Sequence, residues 1–188
     1  MTGLIILAIV VAVIGWGIFA YNDLVSKRQL KEEGWSGIDV QLKRRTDLIP
    51  NLLETVKGYM THERETLEAV TQARANATAG ANAGPAARGA LEGALSGALG
   101  KLLAVAEAYP DLKASANFQE FQTALSSVED EIQLSRRYYN GAVRILNTMI
   151  ESFPSNFIAN FFHFAKSEFF EIGDAAQREV PKVDFKAR

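Results

Sequence analysis

The sequence predicts an all-α protein with a single transmembrane helix at its N-terminus, followed by an antiparallel bundle of long helices. The first 22 residues contain no charged side chain, whereas the next 166 are rich in them. Beyond this boundary, apolar residues recur every three or four positions, which is the periodicity of a buried helix face. We therefore assign residues 1–22 to the transmembrane helix, 23–172 to the bundle, and 173–188 to an extended or disordered tail.

The N-terminal apolar segment, Leu4–Tyr21, is long enough to cross a bilayer. Sixteen of its 18 residues are apolar or aromatic, and the other two are glycines. As a helix it would rise about 27 Å, which is close to the roughly 30 Å of a bilayer's hydrocarbon core. Trp16 and Tyr21 stand near its C-terminal end, where aromatic rings anchor helices at the membrane surface.

A cleaved signal peptide and a buried core helix are the alternatives to a membrane anchor. Signal peptides begin with basic residues and have apolar stretches of about 7–15 residues, whereas this longer stretch has no Lys or Arg before it. A core helix of a soluble protein normally carries some polar face, which this segment lacks. The sequence therefore favours the anchor.

Basic residues predict the orientation of this anchor. Lys27, Arg28 and Lys31 follow the apolar segment, and no basic residue precedes it. Because positively charged flanks tend to remain in the cytoplasm, we expect a short N-terminus outside and the helical domain in the cytoplasm. The reverse orientation is the alternative, since large domains can override this rule.

Two apolar series predict the long helices of the bundle. The first has three- and four-residue spacing interrupted only by the polar Ser135, and it comprises Phe118, Phe121, Leu125, Val128, Ile132, Tyr139, Ala142, Leu146, Met149 and Phe153. The second comprises Trp35, Ile38, Leu42, Ile49, Leu52, Val56, Tyr59 and Val70, and it stays in phase across Pro50. Either Asp47 caps a new helix there or one long helix kinks. The Thr46-Asp47 pair favours the break.

Small residues predict a loop and two close-contact faces. Residues 78–89 contain three Gly and one Pro, which indicates a loop. Gly89, Gly93 and Gly97 then form one stripe of a third helix, which we expect to end near Tyr109 and Pro110. Each Gly costs a helix about 1 kcal/mol, so another backbone should lie against the stripe, either inside the bundle or in a second copy of the chain. A membrane-seeking segment is the further alternative. Within the apolar segment, a similar self-association face is formed by Ala8, Ala12 and Gly15.

The last helix is predicted to run from Pro154 to about Glu171 and is strongly amphipathic. Its apolar face carries five aromatic residues, namely Phe157, Phe161, Phe162, Phe164 and Phe169. This face either packs across the bundle or contacts the bilayer or a protein partner.

The sequence contains no recognisable catalytic or metal-binding motif. The two histidines, His62 and His163, lie far apart, and Thr66 stands where a zinc-protease motif needs its second His. The net charge of −2 provides no basic field for nucleic acid. We therefore predict no enzyme activity, no cofactor, no metal site and no nucleic-acid partner. Arg136 and Arg137 belong either to a solvated helix face or to a site for an anion or lipid headgroup.

Several segments resemble the LemA family in order along nearly the whole chain: YNDLVSKRQ, WSGIDVQLKRRTDLIPNLLETVKGYMTHE, GALSGALGKLLAVAEAYPDLKA, RRYYN, FPSN, FFE and PKVDF. The resemblance implies a short outside N-terminus, one membrane helix and a cytoplasmic, up-and-down four-helix bundle in a bacterium, without an established enzymatic activity. Related magnetosome proteins make membrane organisation a reasonable theme. One departure is Leu146-Asn147, where we would expect a second Tyr-Asn pair.

These observations predict a non-enzymatic structural, scaffold or adaptor protein of the bacterial inner membrane. Its expected partners are the lipid bilayer and further copies of itself. The alternative is a membrane-remodelling or lipid-binding protein that uses the Phe-rich last helix.

Overall fold

The computed structural model describes residues 1–172, and every element within this range is a helix. The elements are α1 (Thr2–Lys57), α2 (Arg64–Ala79), α3 (Pro85–Ala106), α4 (Pro110–Ala114), α5 (Ala116–Glu151) and α6 (Ser155–Phe161). The all-α prediction is confirmed over these residues. The predicted tail, 173–188, lies outside them.

α1 is a single helix that passes through Pro50, so the favoured break at Asp47 is wrong. Thr46 Oγ1 donates a hydrogen bond to the Lys43 carbonyl within the helix, and Asp47 accepts one from Lys43 Nζ. Ile49 and Leu52 remain buried beyond the expected break. A continuous apolar face thus outweighs the local cap signal and the backbone hydrogen bond that Pro removes.

The chain forms two compact units. The first comprises Met1–Leu42 and Ser127–Phe169, and the second comprises Lys43–Ser126 and the described residues from Phe170 onward. The predicted domain boundary at residue 22 falls inside α1, within the first unit.

The first unit is held by contacts of α1 with α5 and α6. Leu24 packs with Leu146, Ile150 and Ala159 in one buried cluster. Further along α1, the ring of Trp35 lies 5.3 Å from that of Tyr139. Gly34 permits this approach, because a Cβ there would lie 3.0 Å from the Tyr139 Cα.

The second unit has its own buried core. Its fully buried members come from α1 through α5 and include Ile49, Val56, Val70, Leu95, Leu102, Leu112 and Phe118. The predicted series on α5 is confirmed from Phe118 to Leu146, whereas Phe153 at its end is 79% exposed.

The connections around α3 are shorter than the sequence indicates. α2 continues to Ala79 and α3 begins at Pro85, so the predicted loop over 78–89 is reduced to residues 80–84. Pro85 fits the first turn of α3 because its missing N–H would have no helical partner there. α3 ends at Ala106, before the predicted end, and the short α4 follows.

Among the described residues, α1 and α3 are the helices long and apolar enough to cross a membrane, judged by length and composition. In α1 the qualifying stretch is almost entirely unburied. α3 instead contributes Leu95, Leu99 and Leu102 to the core of the second unit.

Candidate functional site

The apolar segment forms the start of α1 and is bare over most of its length. From Leu4 to Trp16 its side chains are exposed, as are Ala8, Ala12 and Gly15 of the predicted self-association face. Packing begins at Gly17, and Ala20 is buried. About three and a half turns of uncharged helix therefore extend without a partner among residues 1–172.

α6 packs against the C-terminal end of this segment. A Cβ on Gly17 would lie 3.6 Å from the Ile158 Cδ1 atom, and the ring of Tyr21 lies 4.6 Å from that of Phe162. Ile158 and Ala159 thus form the inner face of α6. One turn of α1 and both turns of α6 therefore form this contact.

The outer face of α6 and the residues that flank this helix are aromatic and exposed. We define the aromatic collar as Phe153, Phe157, Phe161 and Phe162, which are 79%, 63%, 75% and 49% exposed, respectively. The rings pair along the chain, with centroids 5.9 Å apart for Phe153–Phe157 and 5.0 Å apart for Phe161–Phe162.

The predicted last helix is much too long, because α6 ends at Phe161 rather than near Glu171. His163 adopts a left-handed conformation with φ of 57°. Its N–H binds the Asn160 carbonyl, and the Phe164 N–H binds the Ala159 carbonyl. This is the Schellman pattern that ends helices, usually at a Gly. The predicted five-residue aromatic face is therefore divided.

Phe164 and Phe169 lie outside the collar. The Phe164 ring centroid is 5.8 Å from that of Tyr21, and the Arg28 guanidinium carbon lies 5.3 Å above the same Phe164 ring. Phe169 is 40% exposed in the segment that follows α6. Only part of the predicted contact set therefore forms one surface.

Two side chains of α5 hold the segment after α6 in place. Asn147 donates through Nδ2 to the Ser167 carbonyl and accepts from the Ser167 N–H through Oδ1, both at 2.9 Å. The Tyr139 hydroxyl donates to the Glu168 carbonyl at 2.9 Å. Burial, with a smaller effect of the Glu168 carboxylate, raises the pKa of Tyr139 to about 12. Sequence analysis missed Asn147, which it treated only as a departure from a family pattern.

Charged residues follow the apolar segment within three turns. Lys27 lies 3.3 Å from Asp23, and Lys31 lies 3.8 Å from Glu32. Of the predicted anion-binding pair, Arg137 is exposed and Arg136 is half-buried. The anion site therefore stays a prediction.

A buried ion pair in the second unit was not predicted. Arg45 is fully buried and binds the Glu92 carboxylate, and its other terminal nitrogen donates to Ser96 Oγ at 2.8 Å. Arg88 is buried as well. Spacing could have identified these residues. Arg45 completes the series Leu42, Arg45, Ile49, and Arg88 and Glu92 begin the three- and four-residue series that continues through Leu95, Leu99, Leu102 and Ala106.

The glycine stripe of α3 contacts another backbone at Gly89. A Cβ on Gly89 would lie 2.2 Å from the Glu171 carbonyl oxygen, whereas among the described residues no atom beyond the helix's own backbone lies within 4 Å of one on Gly97. Gly93 is half-buried. The expected backbone contact is present at Gly89, and self-association through the stripe stays a prediction.

The second unit also contains an open groove of about 340 Å³. Its lining mixes apolar and polar side chains from α1 and α5, namely Leu48, Asn51, Leu52, Thr55, Asn117, Glu120, Phe121 and Ala124. Among these described lining residues, Glu120 is the titratable one. Within residues 1–172, no three His, Asp or Glu side chains are grouped closely enough to hold a metal ion.

Comparison with known proteins identifies relatives for most of the chain. The model of the LemA family matches residues 34–185. Protein LemA of Metamycoplasma hominis is 28% identical over 163 residues, which cover 87% of this chain and 72% of that protein. Magnetosome proteins MamQ 2 and MamQ 1 of Paramagnetospirillum magneticum are each 25% identical over an alignment of 186 positions, covering 86% of this chain and 68% of theirs.

Proposed function

The chain belongs to the LemA family, and we propose that it is a non-enzymatic, single-pass scaffold or adaptor protein of a bacterial cell membrane. The bare apolar segment carries this proposal. Eighteen uncharged residues leading directly into a packed helical domain suit an anchor, and the similarity to Protein LemA and to magnetosome proteins supports a membrane association.

The proposed topology places a short N-terminus outside the inner membrane and the helical domain in the cytoplasm. Lys27, Arg28 and Lys31 support it through the positive-inside rule. In the first unit, Leu24 of α1 packs in one cluster with Ile150 of α5. Trp35, which comes later in α1, packs on Tyr139, which comes earlier in α5. This reversed order supports the antiparallel arrangement that we predict for the bundle.

Cysteine labelling in intact cells tests the topology, because the chain has no Cys of its own. We expect Thr2→Cys to react with a membrane-impermeant maleimide from outside, and Lys101→Cys to react only after the membrane is permeabilised. The opposite pattern would show that the helical domain is external. Labelling of both from outside, with release by carbonate washing, would exclude a spanning helix.

We further propose that the chain self-assembles through Ala8, Ala12 and Gly15, with the bilayer and further copies as its partners. Small residues on one helix face allow close approach in lipid. Disulfide crosslinking in native membranes tests this face. We expect Ala12→Cys to form dimers more readily than Val10→Cys, which lies about 160° away around the helix. Equal crosslinking, or a monomeric mass in detergent, would reject the face.

A lipid-binding or membrane-remodelling role is the second candidate, and the exposure of Phe157 and Phe161 favours it. The full chain should then deform vesicles, and Phe161→Glu with Phe162→Glu should abolish the deformation. Unchanged vesicles in the presence of the unsubstituted chain would remove remodelling from consideration while leaving the scaffold proposal intact.

A further inference from the structure

The position of the aromatic collar along α1 determines what can cover it. α6 lies beside Gly17 and Tyr21, which belong to the apolar segment itself. The collar is thus continuous with the surface that a bilayer would cover. A contiguous apolar patch of this kind marks an interaction surface.

The length of the exposed apolar helix also indicates that a bilayer would cover the collar. The apolar residues before the first contact with α6, Leu4–Trp16, rise only about 20 Å. A hydrocarbon core is roughly 30 Å thick. If the segment crosses a bilayer, the level of Gly17–Tyr21 must therefore lie within the apolar layer or at its boundary, and α6 must lie there with it.

Charge and ring geometry agree with this depth. The first charged residue after the segment is Asp23, and the Arg28 guanidinium lies over the Phe164 ring. Lys27, Arg28 and Lys31 begin about two turns beyond Tyr21, at the level where phosphate headgroups would lie. Long basic side chains near helix ends reach headgroups in this way.

We propose that Phe153, Phe157, Phe161 and Phe162 insert into the leaflet at which the apolar segment leaves the bilayer, so that α6 lies in the interface beside its own span. The occupant of this surface is phospholipid. The inference rests on the proposed membrane span, and it adds a second, non-spanning contact of the same chain with one leaflet. Apolar side chains of interfacial helices lie about 5–10 Å into the headgroup and acyl boundary.

Depth-dependent quenching tests this insertion in the full-length protein. Single cysteines replace Phe157, Phe161, Val13 or Leu134 in separate variants, and each carries a small fluorescent label. The variants are reconstituted in vesicles of phosphatidylcholine and phosphatidylglycerol. Quenching is measured with iodide in the water and with nitroxide-bearing lipids, labelled either near the headgroup or near the end of the acyl chain. Circular dichroism confirms that each variant keeps its helices.

We expect labels at 157 and 161 to be quenched most by the shallow nitroxide and severalfold less by iodide than the label at 134. Leu134 is the matched control because it is 51% exposed on α5. Val13 reports the span and should respond most to the deep nitroxide.

Three results would overturn the proposal. In the first, iodide quenches the labels at 157 and 161 as strongly as the label at 134, and nitroxide lipids quench the label at 13. The span then holds and the collar is not inserted. In the second, iodide also quenches the label at residue 13, and the proposed anchor itself fails. If labels at 157 and 161 are shielded from both iodide and nitroxide, a protein surface such as a second copy covers the collar.

Discussion

The main chain of Glu171 lies directly against Gly89 of α3. A Cβ on residue 89 would lie 2.2 Å from the Glu171 carbonyl oxygen and 3.1 Å from its carbonyl carbon. Because both obstacles are backbone atoms, no side-chain rotation relieves the clash. The Phe170 side chain, next in the chain, is fully buried, so this part of the chain cannot move away without exposing an aromatic ring.

Gly89→Ala should therefore destabilise the protein by about 1–3 kcal/mol, as expected for overpacking. Gly97→Ala is the matched control on the same helix, since no atom of the described residues outside the helix's own backbone lies within 4 Å of its Cβ position. This control should stabilise by about 0.5–1 kcal/mol through helix propensity. Urea unfolding in detergent, followed by circular dichroism, measures both. Equal effects would contradict the contact.

The buried pair of Arg45 and Glu92 predicts a large cost for removing one partner. Glu92→Leu should destabilise by about 3–5 kcal/mol, because it removes the carboxylate that compensates a buried guanidinium. The double variant Arg45→Met with Glu92→Leu should recover much of that loss. Lys43→Ala, which breaks the exposed contact with Asp47, should cost less than about 1 kcal/mol. If Glu92→Leu costs no more stability than Lys43→Ala, the buried ion pair is disproved.

Tyr139 should make stability depend on pH in the alkaline range. Its pKa is about 12 in the folded chain and about 10 in an unfolded one. Between these values the unfolded chain loses the proton first, so stability falls as pH rises from about 10 to 12. Tyr139→Phe should remove this slope and cost about 0.5–1.5 kcal/mol at neutral pH through the lost hydrogen bond. Parallel unfolding curves for the two proteins at high pH would refute the assignment.

Asn147 should control the order of the segment that follows α6. Asn147→Leu removes both hydrogen bonds to Ser167, and leaving the Ser167 backbone groups without these partners should cost about 1–3 kcal/mol. Hydrogen exchange at the Ser167 amide should accelerate. Thr148→Ala, at an exposed neighbouring position, should leave this exchange unchanged. Unaltered exchange in Asn147→Leu would show that Asn147 does not order this segment.

The sequence predicts the long helices because their evidence is local and repeated. The series from Phe118 to Leu146 specifies one face of α5 many times over, and the buried residues follow it. The same rule applied to charged residues would have placed Arg45 in the core, since it stands midway between Leu42 and Ile49.

Other features depend on contacts that no short pattern contains. The left-handed residue that ends α6 is His163 rather than Gly, so the helix end carries no ordinary sequence signal. Asn147 and Ser167 are 20 residues apart, and no periodicity links them. The Thr46-Asp47 pair is a misleading cap signal, because the packing of Ile49 and Leu52 outweighs it.

α1 leaves no loop between the apolar segment and Trp35, which packs on Tyr139. In a bilayer, a helix adapts to local thickness by tilting. Since the helix that tilts also forms the first unit, that unit must tilt with it. With the proposed span, a change in bilayer thickness would thus become a change in the angle at which the first unit meets the membrane surface.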